Sequence, residues 1–236
     1  MSATPDQPAT PDQPSATPDQ PGTPLPGVAA FDFDGTLVAG DSLPLFLARL
    51  LGPAGFVASL ARAAPAMGWR YLRAGRDGAK AALLSRSVAG LSAKHVAAEG
   101  ETFARRLAGQ VHPAMRERMA WHDARGHRRI LVSASLASYL EPFGAIKGFD
   151  EVIATRLEVG SDGRLTGRMD GANVRAEQKA LRLSQAIGAG PVELWAYGDS
   201  AGDAEMLAMA DHPTLVGRRR RAGVAAMARR AGSARL

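Results

Sequence analysis

Short apolar runs that end in polar residues recur along the chain, and they predict the strands of a buried sheet. The first run, 28–31, is followed directly by Asp32-Phe33-Asp34-Gly35-Thr36. An apolar run bounded by turn residues is typical of a strand in a parallel sheet. Further strands are predicted at 129–132, 151–154, 192–197 and 214–216. A turn at Ser161-Asp162-Gly163 predicts a hairpin that pairs 157–159 with 164–169.

Helical patterns alternate with these strands in the second half of the chain. The predicted helices there cover 112–125, 136–143, 175–187 and 203–209. Strands and helices in alternation imply a parallel sheet with helices on both faces. The sequence therefore predicts an α/β fold with a doubly wound parallel sheet.

The stretch 42–111 interrupts this alternation because it contains helical patterns only. Its predicted helices, 43–51, 54–73, 79–90 and 92–109, are separated by Gly-Pro, Gly-Arg-Asp-Gly and Gly-Leu-Ser. A crossover between parallel strands usually needs only one helix. We therefore predict an all-helical cap domain at 42–111, inserted after the first strand. The core domain is predicted to comprise 27–41 and 112–217.

Two terminal segments lie outside the predicted domains. Residues 1–26 repeat Ala-Thr-Pro-Asp-Gln-Pro, which predicts a disordered proline-rich tail. Residues 218–236 form a basic tail that includes the run Arg218–Arg221. Charge runs are usually solvated, so we expect a solvated tail that does not bind nucleic acid, and a weak anchor for anionic lipid or nucleic acid is the alternative.

Composition excludes several classes of function. The 236 residues carry a net charge of +6, are 46% hydrophobic and include no cysteine, which excludes disulfides, thiolate catalysis and thiolate metal sites. The start of the chain has no secretory signal pattern, and together with the absence of cysteine this favours a cytoplasmic location. The sequence contains no GxGxxG or GxxxxGK(S/T) motif of nucleotide-binding proteins, and its histidines do not have the HExxH spacing of a zinc site.

An apolar stretch at 43–69 raises the question of membrane contact. Arg49, Arg62 and Pro65 interrupt it, and its longest uncharged run, 50–61, has 12 residues. A helix needs roughly 20 apolar residues to cross a bilayer. We interpret these residues as packing among the cap helices, so membrane association is not favoured, although helices lying on a membrane surface stay open as an alternative.

Polar residues follow three of the predicted strands. Because the carboxyl ends of parallel strands meet at one edge, where ligands bind in open α/β sheets, we expect these residues to lie together. Carboxylates that lie close to one another repel unless a cation lies between them or one is protonated. Such a set suits phosphoryl transfer with Mg²⁺, a cation that prefers oxygen ligands. The candidate residues are Asp32, Asp34, Ser133, Asp199 and Asp203, with Lys179 on the helix before the third strand.

Four segments resemble, in order, the four motifs of the haloacid dehalogenase superfamily of aspartate-nucleophile phosphatases. They are FDFDGTL, VSAS, NVRAEQKALRL and AYGDSAGD, and the resemblance covers about 27–217. The helical insertion is similar to the cap of the subgroup, subfamily IB, that includes phosphoserine phosphatases. The resemblance implies a Mg²⁺-dependent phosphomonoester hydrolase that acts on a small phosphorylated metabolite through an aspartyl-phosphate.

The resemblance also implies catalytic and metal-binding roles for particular residues. Asp32 would be the nucleophile, and Asp34 would be the general acid and later the base. Lys179 would neutralise the aspartyl-phosphate. Asp32, the main-chain carbonyl of Asp34 and Asp199 would hold Mg²⁺.

Substrate-binding and supporting roles follow from the same resemblance. Ser133 and the amide of Ala134 would bind phosphoryl oxygens, together with Lys179. Asp41 stands where phosphoserine phosphatases have a glutamate, so it is a candidate substrate-binding residue. Supporting roles are implied for Asp203, Thr36 and Gly35.

Several alternatives stay open at this point. Ala134-Ser135 replaces the Gly-Gly of phosphoserine phosphatases, so phosphoserine itself is not predicted as the substrate. The apolar start of the insertion is also similar to relatives that act on phosphatidylglycerophosphate, which makes a phospholipid head-group phosphatase the second candidate. A phosphotransferase that passes the phosphoryl group to an alcohol is another alternative. A non-catalytic phosphate-binding regulatory module is a further one, although such a module would be expected to have lost one of Asp32, Asp34, Lys179 or Asp199. The sequence gives no indication of oligomeric state.

Overall fold

The computed structural model describes residues 25–217, and these form one sheet with helices packed on both sides. The predictions for the terminal tails at 1–24 and 218–236 lie outside the described residues. The strands are β1 (Gly27–Phe31), β2 (Arg128–Leu136), β3 (Glu151–Val159), β4 (Leu165–Asp170), β5 (Glu193–Gly198) and β6 (His212–Leu215). Their order in the sheet is β4-β3-β2-β1-β5-β6, and all neighbours are parallel except β3 and β4.

The helices are α1 (Ser42–Ser87), α2 (Ala93–Ala108), α3 (Pro113–Asp123), α4 (Ala137–Lys147), α5 (Glu177–Ile187) and α6 (Ala204–Ala208). A short 3-10 turn, Ala201–Asp203, precedes α6. The order of elements confirms the predicted α/β fold with a largely parallel sheet.

Apolar residues on the two faces of the sheet form two separate cores. One core joins Phe31, Leu131 and Tyr197 to side chains of α1, α2, α3 and α4. The other joins Val28 and Ile130 to side chains of α5 and α6. Alternate residues of β1 enter opposite cores, as the period of two along a strand requires. The doubly wound arrangement predicted from the sequence is therefore confirmed.

The predicted boundary between the third strand and the hairpin is wrong. The sequence analysis separated a strand at 151–154 from a hairpin strand at 157–159, whereas the structure has a single strand, β3. The first part of β3 pairs with β2 in parallel, and its last part pairs with β4 in the predicted hairpin. The strand continues without a break because each part has a hydrogen-bonding partner on one side.

The region between β1 and α3 contains only helices, as predicted. Helix α1 is one long element with non-helical backbone at Gly52 and again at Ala74 and Gly75, so three helical segments follow one another. These breaks fall where Gly-Pro and Gly-Arg-Asp-Gly were expected to end helices. Helix α2 packs on α4 of the sheet domain, so the insertion lies against the core.

Candidate active site

The candidate site lies where β2, β1 and β5 end next to one another. The three strands are neighbours in the sheet and run parallel, so their carboxyl ends meet at one edge. Asp32 follows β1, Ser133 lies near the end of β2, and Asp199 follows β5. The structure thus brings together polar residues that are far apart in the sequence.

Asp32 is a buried carboxylate, only 5% exposed, whose two oxygens each accept a hydrogen bond. Lys179 Nζ donates to Oδ1 at 2.5 Å, and the Thr36 hydroxyl donates to Oδ2 at 3.0 Å. The Asp32 amide donates to the Tyr197 carbonyl of β5 at 2.9 Å, which fixes its backbone to the neighbouring strand. These contacts hold the Asp32 carboxylate in one orientation.

Lys179 is shared between two buried carboxylates. Its ammonium group lies 2.5 Å from Asp32 Oδ1 and 2.5 Å from Asp203 Oδ1. The other oxygen of Asp203 accepts from the amides of Asp199 and Ser200 and from the Ser200 hydroxyl. Asp203 therefore positions both the lysine and the backbone that carries Asp199.

Burial and neighbouring charges shift the pKa values of these groups. Burial raises the pKa of Asp32 to about 7, while the ammonium of Lys179 opposes this rise. For Lys179, burial alone lowers the pKa, but the negative charges of Asp32 and Asp203 outweigh it, so the pKa is raised. The lysine is consequently charged at neutral pH, and it favours the ionised form of Asp32.

Asp34 lies in a different environment, beside hydroxyl groups of the second strand and the insertion. Its Oδ1 accepts from the Ser42 amide at 2.8 Å, and the Ser135 hydroxyl donates to its Oδ2. The Ser42 hydroxyl in turn contacts the Tyr139 hydroxyl at 2.8 Å. Burial raises the pKa of Asp34, although the hydrogen bonds from Ser135 and Ser42 lower it in part. This carboxyl group is therefore more easily protonated than an exposed aspartate.

The end of β2 departs from regular pairing at the site. The register with β3 shifts between Ser133 and Leu136, so Ala134 and Ser135 lie within the irregular stretch. The Ser135 amide donates to the Ser133 hydroxyl oxygen at 3.1 Å, and both serines are buried. The segment Ser133-Ala134-Ser135 is thus an irregular stretch of β2 that lies beside Asp34.

Three carboxylates are close enough to share a cation. Oxygens of Asp32, Asp199 and Asp203 all lie within 4.8 Å of one another. Gly35 has φ of +80°, and a Cβ atom at this position would come within 2.2 Å of Asp199 Oδ2. A side chain at position 35 would therefore displace the Asp199 carboxylate, which explains the glycine.

Asp41 is placed at the start of the insertion. Its side chain accepts a hydrogen bond from the Leu43 amide at 3.1 Å and caps α1. The residue is exposed, and its negative charge raises the pKa of Asp34. Its predicted substrate-binding role stays a prediction, because the contact in the structure is a helix cap.

Sequence reasoning missed Lys80 of α1, which enters the site from the insertion. Its ammonium group donates to the Ala134 carbonyl and to Asn173 Oδ1, the second contact at 2.6 Å. Asn173 is itself held by Thr155 at 2.9 Å and by Asp77 at 2.8 Å. Burial lowers the pKa of Lys80 to about 8, whereas the charges of nearby carboxylates, namely Asp77, Asp41 and Asp34, oppose the shift.

A signal for Lys80 was present in the composition. Only four of the 29 basic residues are lysines, so each one stands out in an arginine-rich chain. Ser42, Ser135 and Asn173 carried no such signal, because each belongs to a hydrogen-bond network that includes a residue 93 or more positions away in the sequence.

The comparisons with known proteins agree with this geometry. A family model for haloacid dehalogenase-like hydrolases matches residues 29–208. The chain is 36% identical to Protein CicA of Caulobacter vibrioides over 76% of this chain and 81% of that protein. It is 29% identical to a histidinol-phosphatase of Neisseria meningitidis serogroup C, over 49% of this chain and 55% of that enzyme.

Solved structures with the same fold are also found. A Bordetella pertussis Tohama I protein of unknown function has a TM-score of 0.69 and 28% identity, covering 88% of this chain and 96% of that one. A phosphoserine phosphatase in its apo form has a TM-score of 0.56 and 22% identity, with coverage of 78% and 83%, and supports the fold alone. Since the family model spans most of the described chain and includes every candidate residue, the chain belongs to the haloacid dehalogenase-like hydrolases and is an enzyme.

Proposed function

We propose that this hydrolase is a Mg²⁺-dependent phosphomonoesterase that acts on a small phosphorylated metabolite through an aspartyl-phosphate. The observation that supports it most directly is the environment of Asp32. This carboxylate is buried, oriented by Thr36 and paired with Lys179, and it lies beside two further acids. The similarity to a histidinol-phosphatase agrees with a phosphatase.

In the proposed first step the Asp32 carboxylate attacks phosphorus. A bond forms between an Asp32 oxygen and phosphorus, and the bond from phosphorus to the leaving oxygen breaks. Lys179, held in place by Asp203, offsets the negative charge of the acid and the phosphoryl group. Ser133 and the amide of Ala134 are the proposed donors to the phosphoryl oxygens, because they lie in the irregular stretch at the end of β2.

Asp34 is the proposed acid in this step and the base in the next. Because burial raises its pKa, it can hold a proton and give it to the leaving oxygen. A water molecule then attacks phosphorus and gives its proton to Asp34. The bond between phosphorus and Asp32 breaks, inorganic phosphate leaves and the Asp32 carboxylate is restored. Ser42 and Ser135 hold Asp34 in position for both transfers.

The donor set of the site fits a hard divalent cation. The clustered carboxylate oxygens are the ligand type that Mg²⁺ prefers. Asp32 and Asp199, with the Asp34 carbonyl, are the proposed ligands. Asp203, which accepts from the amides of Asp199 and Ser200, is proposed to hold Asp199 in position. A bound Mg²⁺ would supply positive charge to the phosphoryl oxygens and to the Asp32 carboxylate.

The insertion at 42–111 is proposed to act as a cap domain. It contacts the site at both ends of α1, through the Ser42 amide on Asp34 and through Lys80 on the Ala134 carbonyl. A cap in this position would exclude water while the aspartyl-phosphate forms. The predicted domain boundaries and the cytoplasmic location stay predictions.

A phospholipid head-group phosphatase is the second candidate. The observation that favours it is the exposed apolar surface of α1, which includes Val57 and Leu72. A non-catalytic module is disfavoured, because the candidate nucleophile, acid, lysine and metal ligands are all retained and placed together. Transfer of the phosphoryl group to an alcohol in place of water uses the same first step.

The nucleophile assignment predicts the behaviour of Asp32→Asn. The amide is neutral and a poor nucleophile, so release of phosphate from p-nitrophenyl phosphate with Mg²⁺ should fall by at least about a thousandfold. Asp170→Asn, at an exposed position of β4, is the matched control and should keep wild-type turnover. Near wild-type rates in a folded Asp32→Asn protein would rule out the proposed nucleophile.

A substrate screen separates the two candidate substrate classes. Soluble phosphorylated metabolites and phosphatidylglycerophosphate in mixed micelles would be compared under the same Mg²⁺ conditions. The proposal expects the highest kcat/KM with a soluble phosphomonoester. A clear preference for the lipid would shift the assignment to the second candidate and leave the catalytic residues unchanged.

A further inference from the structure

The middle segment of α1 exposes apolar side chains that nothing among the described residues covers. Val57 is 66% exposed and Leu72 is 81% exposed, and Leu60 and Tyr71 are exposed as well. These four residues, together with Ala61 and Ala64, define the α1 apolar face. Their spacing of three or four residues places them on one side of the helix. The expectation that these residues pack among the cap helices is therefore wrong for this face.

Helix α1 is long and apolar enough, by length and composition, to cross a membrane, and only 22% of its most apolar 18-residue window is buried. The contacts between this helix and the rest of the protein indicate that it would lie parallel to a membrane surface and would not cross the membrane. The Ser59 hydroxyl contacts the Ser87 hydroxyl at 2.7 Å, and Ala63 is fully buried. Around Ser59 and Ala63 one side of the segment is thus fixed to the protein, and the α1 apolar face lies on the opposite side.

All charged residues in the first two segments of α1 are positive. Between Ser42 and Arg76 the chain has no aspartate or glutamate, but it has arginines at 49, 62, 70, 73 and 76. Arg49 is paired with Glu99, whereas no ion pair among the described residues involves the other four. Arg73 lies over the exposed Trp69 ring, 4.3 Å from its centre.

These features select one kind of partner. A second copy of the chain on the same face would bring two sets of unpaired arginines together, which repel each other. An anionic lipid surface offers the opposite charge, and each arginine near such a surface contributes about 1 kcal/mol. Tryptophan and tyrosine beside an apolar face are typical of helices that lie in a membrane interface.

We propose that the α1 apolar face and its arginines dock flat on an anionic lipid surface. The proposal rests on the surface of α1 and does not depend on the proposed catalytic mechanism. It places the candidate active site beside the membrane, because the first residue of α1 contacts Asp34 and its last segment carries Lys80.

Vesicle co-sedimentation tests the docking surface. The full chain would be mixed with vesicles of phosphatidylcholine alone or with added phosphatidylglycerol. We expect binding to the anionic vesicles, and a loss of at least about tenfold in affinity for the double variant Leu60→Glu and Leu72→Glu, since each buried leucine contributes about 1.5–3 kcal/mol. The matched control is Leu181→Glu, an exposed leucine on α5, which should bind as the wild type does.

Further variants separate charge from apolar contact and test the other basic segment. Arg62→Glu with Arg70→Glu should remove the preference for anionic vesicles and leave the fold intact, since both side chains are exposed. Replacement of Arg218–Arg221 by glutamine should leave most of the binding. The proposal is overturned if vesicle binding is lost only in the tail variant, or if the protein binds neutral and anionic vesicles equally. It is also overturned if the wild type is a dimer that binds no vesicles and the double leucine variant is a monomer.

Measurements of turnover test the proposed function separately from the proposed docking surface. Turnover of p-nitrophenyl phosphate should be the same in wild type and in the double leucine variant, because neither leucine lies at the site. Vesicle binding without any turnover would leave the docking surface standing and would contradict only the phosphatase. Turnover without vesicle binding would contradict only the docking surface.

Discussion

Lys179 offsets negative charge at the candidate site by forming ion pairs with two aspartates. A buried ammonium group between Asp32 and Asp203 offsets part of the repulsion that closely placed carboxylates would otherwise produce. Asp199 adds a third acid to the same cluster. One lysine does not neutralise three carboxylates, so the site has an excess of negative charge that a divalent cation would offset.

This excess charge predicts that Mg²⁺ stabilises the folded protein. At about a hundredfold excess over its Kd, Mg²⁺ adds about 2.7 kcal/mol to the free energy of unfolding. For a chain of this length the melting temperature should rise by about 5–10 °C, measured by differential scanning fluorimetry. Asp199→Asn should abolish most of the rise, whereas Asp170→Asn should keep it. An equal rise in Asp199→Asn would argue that the cation binds elsewhere.

At the scale of single residues, the acids and the motif lysine of the site could be predicted from the sequence, but the residues that contact them could not. Asp32, Asp34, Lys179 and Asp199 stand in short motifs whose spacing is visible in the sequence. Ser42 and Lys80 contact the site only because α1 starts and ends beside it. That path depends on how a long helix bends at two glycines, which local patterns do not determine.

At the scale of elements, α3 is joined to β5 by a buried histidine. The His122 ring accepts or donates a hydrogen bond through Nε2 to the Tyr197 hydroxyl at 2.9 Å, and its Nδ1 lies 2.9 Å from His127 Nδ1. Burial lowers the pKa of His122 to about 4, with positive charge on His127 and nearby arginines acting in the same direction. The neutral form is therefore part of the contact between helix and sheet.

This pKa shift predicts a stability change with pH. Between about pH 6.5 and pH 4 the unfolded chain binds a proton at His122 that the folded chain does not, so the free energy of unfolding falls as the pH is lowered. Denaturant titrations at pH 7 and pH 4.5 should show a fall about 2 kcal/mol larger in wild type than in His122→Gln. His95→Gln, at an exposed position, should behave as the wild type does. Equal falls in wild type and His122→Gln would contradict the buried neutral histidine.

Most elements were predictable from the sequence because their patterns are local. The strands that end at the site are apolar runs followed by polar residues, and the breaks in α1 coincide with glycines at 52 and 75. The extent of β3 was not predictable, because its two halves are stabilised by different neighbours in the sheet. The exposure of the α1 apolar face was also missed, since an apolar stripe has the same pattern whether it is buried or free.

At the scale of the whole molecule, α1 joins the insertion to the sheet domain through polar contacts at the site. Lys80 and Asp77 of α1 both reach Asn173, which lies between β4 and α5 and also contacts Thr155 of β3. Lys80 donates in addition to the Ala134 carbonyl, in the irregular stretch of β2 that also includes Ser133. The position of the insertion and the shape of that stretch are therefore coupled.

This coupling predicts that Lys80→Met has two effects: it weakens the contact between the insertion and the sheet domain, and it slows the reaction. A hydrogen bond from a charged donor contributes about 1.5–3 kcal/mol, so its loss should lower kcat/KM for p-nitrophenyl phosphate by about 10-fold to 100-fold. Amide hydrogen exchange within the last segment of α1 should become faster in the same variant, because its contact with the sheet domain is removed.

Lys94→Met provides the matched control, since Lys94 is an exposed lysine of α2 in the same insertion. It should change neither kcat/KM nor exchange in α1, which separates loss of the Lys80 contacts from loss of one positive charge. Slower turnover in Lys80→Met with unchanged exchange would mean that Lys80 acts only on the irregular stretch of β2 at Ala134. Wild-type turnover together with wild-type exchange would show that closure of the insertion over the site does not depend on this lysine.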